Sequence, residues 1–526
     1  MITPELSAAL ARSSSAIAAG TGDGYDHMIL ALGAHAQGDK AQAEALFAQA
    51  LALSPDDPSV LTGHAKFLRE AGRLSEGLRA CDAAIVTASE YPDAWIERGA
   101  ILGAGGSSRA ACDSYARAIA INPRAASAHA GLAAIAAREG DAPRASHHAQ
   151  QALALDPGNA IAASALATVA LEAGHADEAV ALLEPVVASR AEPSFDRSLA
   201  AGLLGDACHR LGRHEAAFEA YSRSKSDFAA IHAHHEPHRM RHRAFVEAIH
   251  AGLEAMDIAT PAPQSKQPDG AAKRHVFLLG YPRSGTTLTE NVLASIPGVT
   301  ALEERPTMQA VDQAILSGDA ASIKAGLQAF AAAPEAEMNS YRDAYWRKVI
   351  AAGVPAATEA FVDMDPLKAT RLPLIQRLFP EARVLIMRRD PRDVVWSCFR
   401  TQFAMTSGTL DYTTLEDTAR HYDAMMRLTE LARSKLPIHT IEVRYDRLVR
   451  DFEATTREVC AFIGVQWSEQ VMQFDRTARQ RGVATASVGQ VRKGLYDGTR
   501  QWEPYARWLE PVLPILQPWI ERFGYA

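Results

Sequence analysis

The chain has 526 residues, which is too many for one ordinary hydrophobic core, so two or more domains are expected. Apolar residues make up 48% and charged residues 22%, the balance of a globular protein, and a net charge of −8 argues against broad nucleic-acid binding. Five scattered cysteines without a C-x-x-C pair argue against a disulfide framework or a cysteine-based metal site. No basic segment leads into an apolar run at the start, and no stretch of 18 apolar residues occurs, so a cytoplasmic protein without a membrane span is expected.

The first half of the chain repeats itself every 34 residues. Glycines mark this period, and a small residue follows each of them by five positions. The glycines are Gly38, Gly72, Gly106, Gly140 and Gly174, and the small residues are Ala43, Gly77, Ala111, Ala145 and Ala179. A sixth copy is displaced by four residues and carries Gly212 and Ala217, and prolines at positions 55, 123 and 157 keep the same period. Such a period indicates a solenoid of helical repeats.

Each repeat is predicted to be a helix–turn–helix unit, because glycine permits the turn, the small residue permits close helix contact, and proline ends the second helix. This pattern resembles the tetratricopeptide repeat family over residues 24–228, and we assign residues 1–228 to an all-α array of about six repeats. Such solenoids present a concave groove that commonly holds an extended peptide or a partner protein. Two alternatives stay open, in which the array forms a homodimer or braces the second domain.

Residues 229–272 break the repeat pattern and are predicted to form a helical linker followed by a loop. Histidines cluster here, at His232, His234, His235, His238 and His242. Because no carboxylate or cysteine accompanies them at ligand spacing, we expect a solvated linker face and not a metal site.

From residue 273 to 526, short apolar runs alternate with helical stretches. The runs 275–280, 360–365, 383–389 and 438–445 are predicted strands. This alternation predicts an α/β domain with a central parallel sheet covered by helices. Ligands of such sheets bind at the carboxyl ends of the strands, and three of these strands end in polar residues.

The segment "GYPRSGTT" (280–287) follows the first predicted strand and has the frame of a phosphate-binding loop. Backbone N–H groups and a helix start would cradle an anion there. Arg283 adds a cation, and Ser284, Thr286 and Thr287 add hydroxyl donors. Thr286, however, occupies the position at which nucleotide-binding loops carry lysine.

A second candidate anion site is "RRDPRDVVWSCF" (388–399), where a strand ends and a helix begins. Arg389 and Ser397 are predicted to converge there on a second anion at the same sheet edge.

Together, these two motifs resemble the sulfotransferase family, which uses 3′-phosphoadenosine 5′-phosphosulfate (PAPS) as donor. The resemblance covers residues 273–526 and is strongest to protein-tyrosine sulfotransferases and to bacterial proteins that join tetratricopeptide repeats to such a domain. It implies that Arg283, Ser284, Gly285, Thr286 and Thr287 bind the 5′-phosphosulfate. It further implies that the 3′-phosphate is bound by Arg389 and Ser397.

Three further segments fit the same family. "ALEERPTM" (301–308) resembles the segment that supplies the catalytic base, which places Glu304 in that role beside Glu303. "VRYDRLVRD" (443–451) places Tyr445 near the nucleotide. "SVGQVRKGLY" (487–496) resembles a late loop over the donor, in which Ser487 assists the transferred group and Arg492 and Lys493 face the phosphates.

One position departs from the family pattern. Relatives usually carry a lysine aimed at the leaving group, and Met364 stands there in this chain. Lys368, four residues later, is the candidate replacement if the segment is helical, although Pro366 interrupts it. Arg283 or Lys493 is the alternative source of that charge.

The predicted activity is therefore sulfuryl transfer from PAPS to an acceptor hydroxyl, with no metal required and with tyrosine of a recruited protein or peptide as one acceptor class. A carbohydrate, phenol or lipid hydroxyl stays open as acceptor. A P-loop kinase or NTPase is an alternative that Thr286 disfavours. A non-enzymatic repeat scaffold with an inert domain is another, favoured by Met364 and opposed by Glu304, Arg389 and Ser397.

Overall fold

The computed structural model describes residues 4–189, 193–233, 240–256, 270–481 and 494–525. The chain forms two units, Met1–His234 and His235–Ala526. None of the helices in the described ranges combines the length and apolar character needed to cross a bilayer.

The first unit is all-helical, as the repeat pattern predicts. Its helices are α1 Pro4–Ala18, α2 Gly24–Ala36, α3 Lys40–Leu53, α4 Pro58–Glu70, α5 Leu74–Thr87, α6 Pro92–Ala104, α7 Ser108–Ile121, α8 Ala126–Glu139, α9 Ala142–Leu155, α10 Ala160–Ala173, α11 Ala176–Ala188, α12 Phe195–Arg210 and α13 His214–His232. From α2 onward they pack as six consecutive pairs, one pair for each repeat.

The repeat glycines occupy the turn between the two helices of a pair. Gly140 and Gly174 end α8 and α10 in the left-handed conformation, with φ of 79° and 87°. The small residue five positions later is buried where the helices meet, and at Gly77 an added Cβ would lie 3.1 Å from the carbonyl oxygen of Ala65. Backbone freedom and close helix approach therefore account for the 34-residue punctuation.

The second unit contains five strands and thirteen α-helices within its described residues, besides short 3₁₀ turns. The strands are β1 Arg274–Leu279, β2 Val299–Glu303, β3 Ala360–Met364, β4 Arg383–Arg388 and β5 His439–Arg444. The helices are α14 His242–Ala255, α15 Thr286–Ala294, α16 Gln309–Ile315, α17 Ala320–Ala332, α18 Glu335–Ala351, α19 Leu372–Leu378, α20 Pro391–Arg400, α21 Leu415–Lys435, α22 Tyr445–Arg450, α23 Phe452–Ile463, α24 Phe474–Gln480, α25 Ala506–Leu509 and α26 Leu513–Arg522.

All neighbouring strands pair in parallel, in the order β2-β3-β1-β4-β5. The four predicted strands are present. Strand β2 was not predicted, because its sequence VTALE is short and its alternation of apolar and polar residues is weak.

The two faces of the sheet have different cores. Met364 and Leu278 point to the face on which α15 packs, and they share an aliphatic cluster with Leu288 and Val292. On the opposite face, Phe277 and its neighbours form an aromatic layer with side chains of α18. Alternation along a strand therefore assigns consecutive residues of β3 to different surroundings.

Helix α14, which the sequence places in the linker, packs against α17 and α21 of the second unit. His242 is buried there, with its Nδ1 atom 2.8 Å from Nε2 of His421. The prediction of a solvated face is therefore wrong for His242, because α14 buries the face that carries it. His234, His235 and His238 lie outside the described residues.

Candidate active site

The carboxyl ends of all five strands carry residues of the candidate site. Because the strands are parallel, these ends lie along one edge of the sheet. The residues that follow the strands are Gly280 after β1, Glu304 after β2, Asp365 after β3, Arg389 after β4 and Tyr445 after β5.

The 280–287 loop is closed by its own hydrogen bonds. The backbone N–H of Ser284 donates to the carbonyl of Tyr281 over 3.1 Å, and the N–H of Tyr281 donates to Oγ of Ser284 over 3.3 Å. Gly285 has φ 102° and precedes Thr286, the first residue of α15. The first-turn N–H groups of this helix have no intrahelical acceptors, so the loop forms a cradle suited to an anion.

Arg283 joins the two sequence motifs. Its Nε donates to Oγ of Ser397 over 3.0 Å, and Nη1 of Arg389 donates to the Arg283 carbonyl over 2.8 Å. Burial of the guanidinium, followed among the lowering causes by the charges of Arg389 and Arg400, lowers the pKa of Arg283 to about 10. The side chain therefore stays cationic at neutral pH. Its φ of 68° is uncommon for a residue other than glycine, and such strain is concentrated at functional sites.

Arg389 lies over the ring of Tyr445, with 4.7 Å between its guanidinium carbon and the ring centroid. Its Nη2 donates to the carbonyl of Gly498, whereas its buried Nε has no hydrogen-bond partner among the described residues. Tyr445 packs against Gly285, where an added Cβ would lie 2.7 Å from the ring. The predicted residues Arg283, Arg389, Ser397 and Tyr445 are thus brought together.

A cavity of about 390 Å³ opens beside Arg389. Its lining includes Arg450, Arg500 and Trp502, and the buried indole Nε1 of Trp502 likewise has no partner in the described ranges. Asp393 holds this wall by accepting the N–H groups of Arg500 and Trp502 over 2.9 and 3.1 Å. Sequence reasoning missed the segment 498–502, since only tertiary folding brings it to Arg389.

Glu304 lies where β2 ends, and its backbone N–H donates to the carbonyl of Met364 over 2.8 Å. Its φ is 45°, a second strained position at this sheet edge. Desolvation, followed by the nearby carboxylates of Asp365, Glu303 and Glu290, raises the pKa of Glu304 to about 7. The residue as a whole is nonetheless exposed, so water screens part of the desolvation effect. A carboxylate of this kind can accept a proton near neutral pH.

Lys368 does not lie on the α15 face of the sheet with Met364. It is buried in the 3₁₀ turn Pro366–Arg371, where its ammonium is paired with Asp363, and its Nζ is 6.0 Å from the centroid of the Phe277 ring. This is the aromatic face of the sheet, and the ammonium of Lys368 forms an internal ion pair there. Ser487, Arg492 and Lys493 lie outside the described residues.

Two buried polar groups near the site were not predicted. Glu290 of α15 is fully buried and accepts from Nη2 of Arg481 over 2.7 Å, and the same nitrogen donates to the carbonyl of Ala301 in β2 over 2.8 Å. Tyr281 of the 280–287 loop has its hydroxyl 2.6 Å from Nδ1 of the buried His421. Both contacts join elements that are distant in the sequence, so no local sequence pattern predicts them.

The comparisons with known proteins agree with this architecture. Residues 275–469 match the profile of the sulfotransferase family, and residues 30–94 and 136–201 match profiles of the tetratricopeptide repeat. The chain thus joins a tetratricopeptide-repeat solenoid to a parallel α/β domain that matches the sulfotransferase family model over residues 275–469.

Individual relatives are distant. An uncharacterised protein of Aquifex aeolicus is 28% identical over 348 residues, which cover 65% of this chain and only 44% of that protein. Protein-tyrosine sulfotransferase 1 of Danio rerio is 23% identical over 55% of this chain and 82% of its own length. Protein-tyrosine sulfotransferase 2 of Gallus gallus is 24% identical over 48% of this chain and 69% of its own length. A tetratricopeptide-repeat protein of Thermus thermophilus covers 34% of this chain and 98% of its own at 23% identity, with a TM-score of 0.31.

Proposed function

We propose that the second unit transfers a sulfuryl group from PAPS to an acceptor hydroxyl. The observation that carries the proposal is the contact of Arg283 with both Ser397 and Arg389, since it joins two anion-binding motifs into one site. PAPS carries anionic groups at the 5′ and 3′ positions of its ribose, and Arg283 and Arg389 supply one cation from each motif.

In this scheme the 280–287 loop holds the 5′-phosphosulfate through its backbone N–H groups, Ser284, Gly285, Thr286 and Thr287. Arg389 and Ser397 hold the 3′-phosphate. Tyr445, whose ring packs against the Arg389 guanidinium, lies near the nucleotide. Arg492 and Lys493 are proposed to add phosphate contacts, and Ser487 a contact to the transferred group. PAPS itself supplies the activated sulfuryl group, and the scheme uses no metal.

Glu304 is proposed as the general base. As the acceptor oxygen bonds to sulfur, the bond from sulfur to the phosphate oxygen of the donor breaks, and Glu304 takes the hydroxyl proton. Such assistance is typically worth ~10²–10⁴-fold in rate. With Met364 in place of the family's lysine, Arg283, a cation within the 280–287 loop itself, is proposed to stabilise charge on the departing phosphate.

The acceptor class is proposed from the two kinds of domain that the chain combines. Two distant relatives are named protein-tyrosine sulfotransferases, and the repeats suit binding of an extended peptide. A tyrosine hydroxyl of a recruited protein or peptide is therefore the first acceptor to test, in a cytoplasmic setting.

The test incubates the full chain with PAPS and separate pools of peptides, phenols and carbohydrates, and searches for a sulfuryl mass addition by mass spectrometry. Glu304→Gln is the matched control, because it keeps the size of the side chain and removes the base. Transfer by the wild type is expected, with a rate ~10²–10⁴-fold lower in this variant. Magnesium-dependent ATP turnover without PAPS binding would instead identify a kinase or NTPase, and binding of neither nucleotide would identify an inert scaffold.

A further inference from the structure

A buried polar network contacts the loop that carries Glu304. Its centre is Asp363 of β3, which is fully buried. Oδ2 of Asp363 accepts from the hydroxyl groups of Tyr345 and Thr307, each over 2.8 Å, and Oδ1 is paired with the ammonium of Lys368. Nζ of Lys368 also donates to Oγ1 of Thr307 over 3.3 Å. The hydroxyl of Thr307 is therefore both donor and acceptor, so Asp363 and Lys368 together fix its orientation.

Thr307 belongs to the loop that carries Glu304. Two hydrogen bonds, made by residues three positions apart, hold this loop to β3. The N–H of Glu304 donates to the carbonyl of Met364, and the hydroxyl of Thr307 donates to Asp363. Between these ties Glu304 keeps a positive φ of 45°. A strained backbone persists only where its surroundings over-determine it, and the two ties to one strand do so here.

We propose that Thr307 is a positioning residue, which the buried Asp363–Lys368 pair orients so that the 304–307 loop holds Glu304 at the sheet edge. Lys368 then acts on the reaction through Thr307 and the 304–307 loop, and it does not contact the donor. The proposal rests on the assignment of Glu304 as general base. It gives the buried Lys368 a role in a domain that carries methionine at position 364.

The kinetic test is a double-mutant cycle between Thr307→Val and Glu304→Gln, with sulfuryl transfer followed under single-turnover conditions. Valine keeps the shape of threonine and removes the hydroxyl. In the wild-type background we expect the rate of transfer to fall about 10- to 100-fold, since a small misplacement of a reacting group is costly. In the Glu304→Gln background the same change should alter the rate less than about twofold, because Thr307 acts only through Glu304. Equal losses in both backgrounds would overturn the proposal.

Two controls separate positioning from a general loss of structure. Thr307→Ser keeps the hydroxyl and should restore the rate. Thr418→Val removes another fully buried hydroxyl, which donates to the Thr414 carbonyl, and should leave transfer unchanged. Affinity for the desulfated nucleotide, measured by calorimetry, should stay constant in all these variants.

Amide hydrogen exchange tests the same inference without any activity. Thr307→Val should accelerate exchange in the peptide that contains Glu304, and Thr307→Ser should not. Unchanged exchange in Thr307→Val would reject the positioning role whether or not the protein transfers sulfuryl groups. Absence of nucleotide binding and of transfer in the wild type, together with accelerated exchange in Thr307→Val, would reject the proposed function and keep Thr307 as the residue that holds this loop.

Discussion

Nε of Arg283 donates a hydrogen bond to Oγ of Ser397 over 3.0 Å, although 114 positions separate the two residues in the sequence. The contact joins the loop after β1 to the helix after β4, strands that are neighbours in the sheet. Arg389 adds a second link, by donating to the Arg283 carbonyl. One cationic cluster therefore links the two motifs that we propose as anion sites.

Arg389→Lys should weaken binding of 3′-phosphoadenosine 5′-phosphate about 10-fold, because lysine cannot reproduce the planar fork and the charge-assisted hydrogen bonds of arginine. Binding of adenosine 5′-phosphosulfate, which lacks the 3′-phosphate, should weaken less. Calorimetric titration of both ligands measures the difference. Arg420→Lys, on an exposed helical pair with Glu416, is the control. Equal weakening for the two ligands would show that Arg389 does not read the 3′-phosphate.

The rate of transfer should depend on pH through Glu304. Its raised pKa of about 7 means that the carboxyl is protonated, and inactive as a base, below that pH. We therefore expect kcat/KM for the acceptor to rise as pH increases through 7 and to level off above 8. Glu304→Gln should remove this dependence along with most of the rate.

A matched variant, Glu303→Gln, tests the cause of that shift. Glu303 is one of the carboxylates that raise the pKa of Glu304, so its neutralisation should move the midpoint of the pH profile downward. A midpoint that stays in place or moves upward would contradict the electrostatic explanation.

Lys368→Met should strongly destabilise the second unit, since it leaves the fully buried Asp363 without its cation. Breaking a buried pair in this way typically costs about 3–5 kcal/mol. Adding Asp363→Asn should restore much of the loss, because an amide oxygen still accepts from Tyr345 and Thr307. Urea unfolding followed by circular dichroism measures both variants. No recovery in the double variant would mean that the charge of Lys368 has a role beyond this pair.

Gly99→Ala should destabilise the repeat unit by about 1–3 kcal/mol, the usual range for overpacking. An added Cβ would lie 2.7 Å from the ring of Tyr115, and at Gly131 the same ring is 2.4 Å from an added Cβ, so the ring has little room to shift. Gly103→Ala in the same helix is the control. Outside its own helix backbone, the one described atom within 4 Å of the added Cβ is Cβ of Ala111, at 4.0 Å, so thermal unfolding should show the gain that alanine gives in a helix. A Gly99→Ala protein as stable as Gly103→Ala would contradict the packing explanation.

Much of this architecture could be read from local patterns. The 34-residue spacing of Gly38 to Gly174 predicted the helix pairs, because a turn that needs a positive φ needs glycine at the same place in each repeat. Apolar runs ending in Arg389 and Tyr445 predicted the polar edge of the sheet. Strand β2 escaped prediction because its alternation is weak, and His242 was misplaced because burial of α14 depends on α17 and α21.

By itself, the sequence determined which chemical groups are present and which strand each one follows. That information is local, since it depends on the order of side chains along a few residues. Only the tertiary structure decided how these groups meet. The neighbours of Arg283 come from α20 and from the end of β4, more than 100 positions away, and the partner of Lys368 is set by which face of β3 a side chain occupies. Such contacts depend on strand order and on the alternation of side chains across the sheet, which bring distant residues together without any mark in the local sequence.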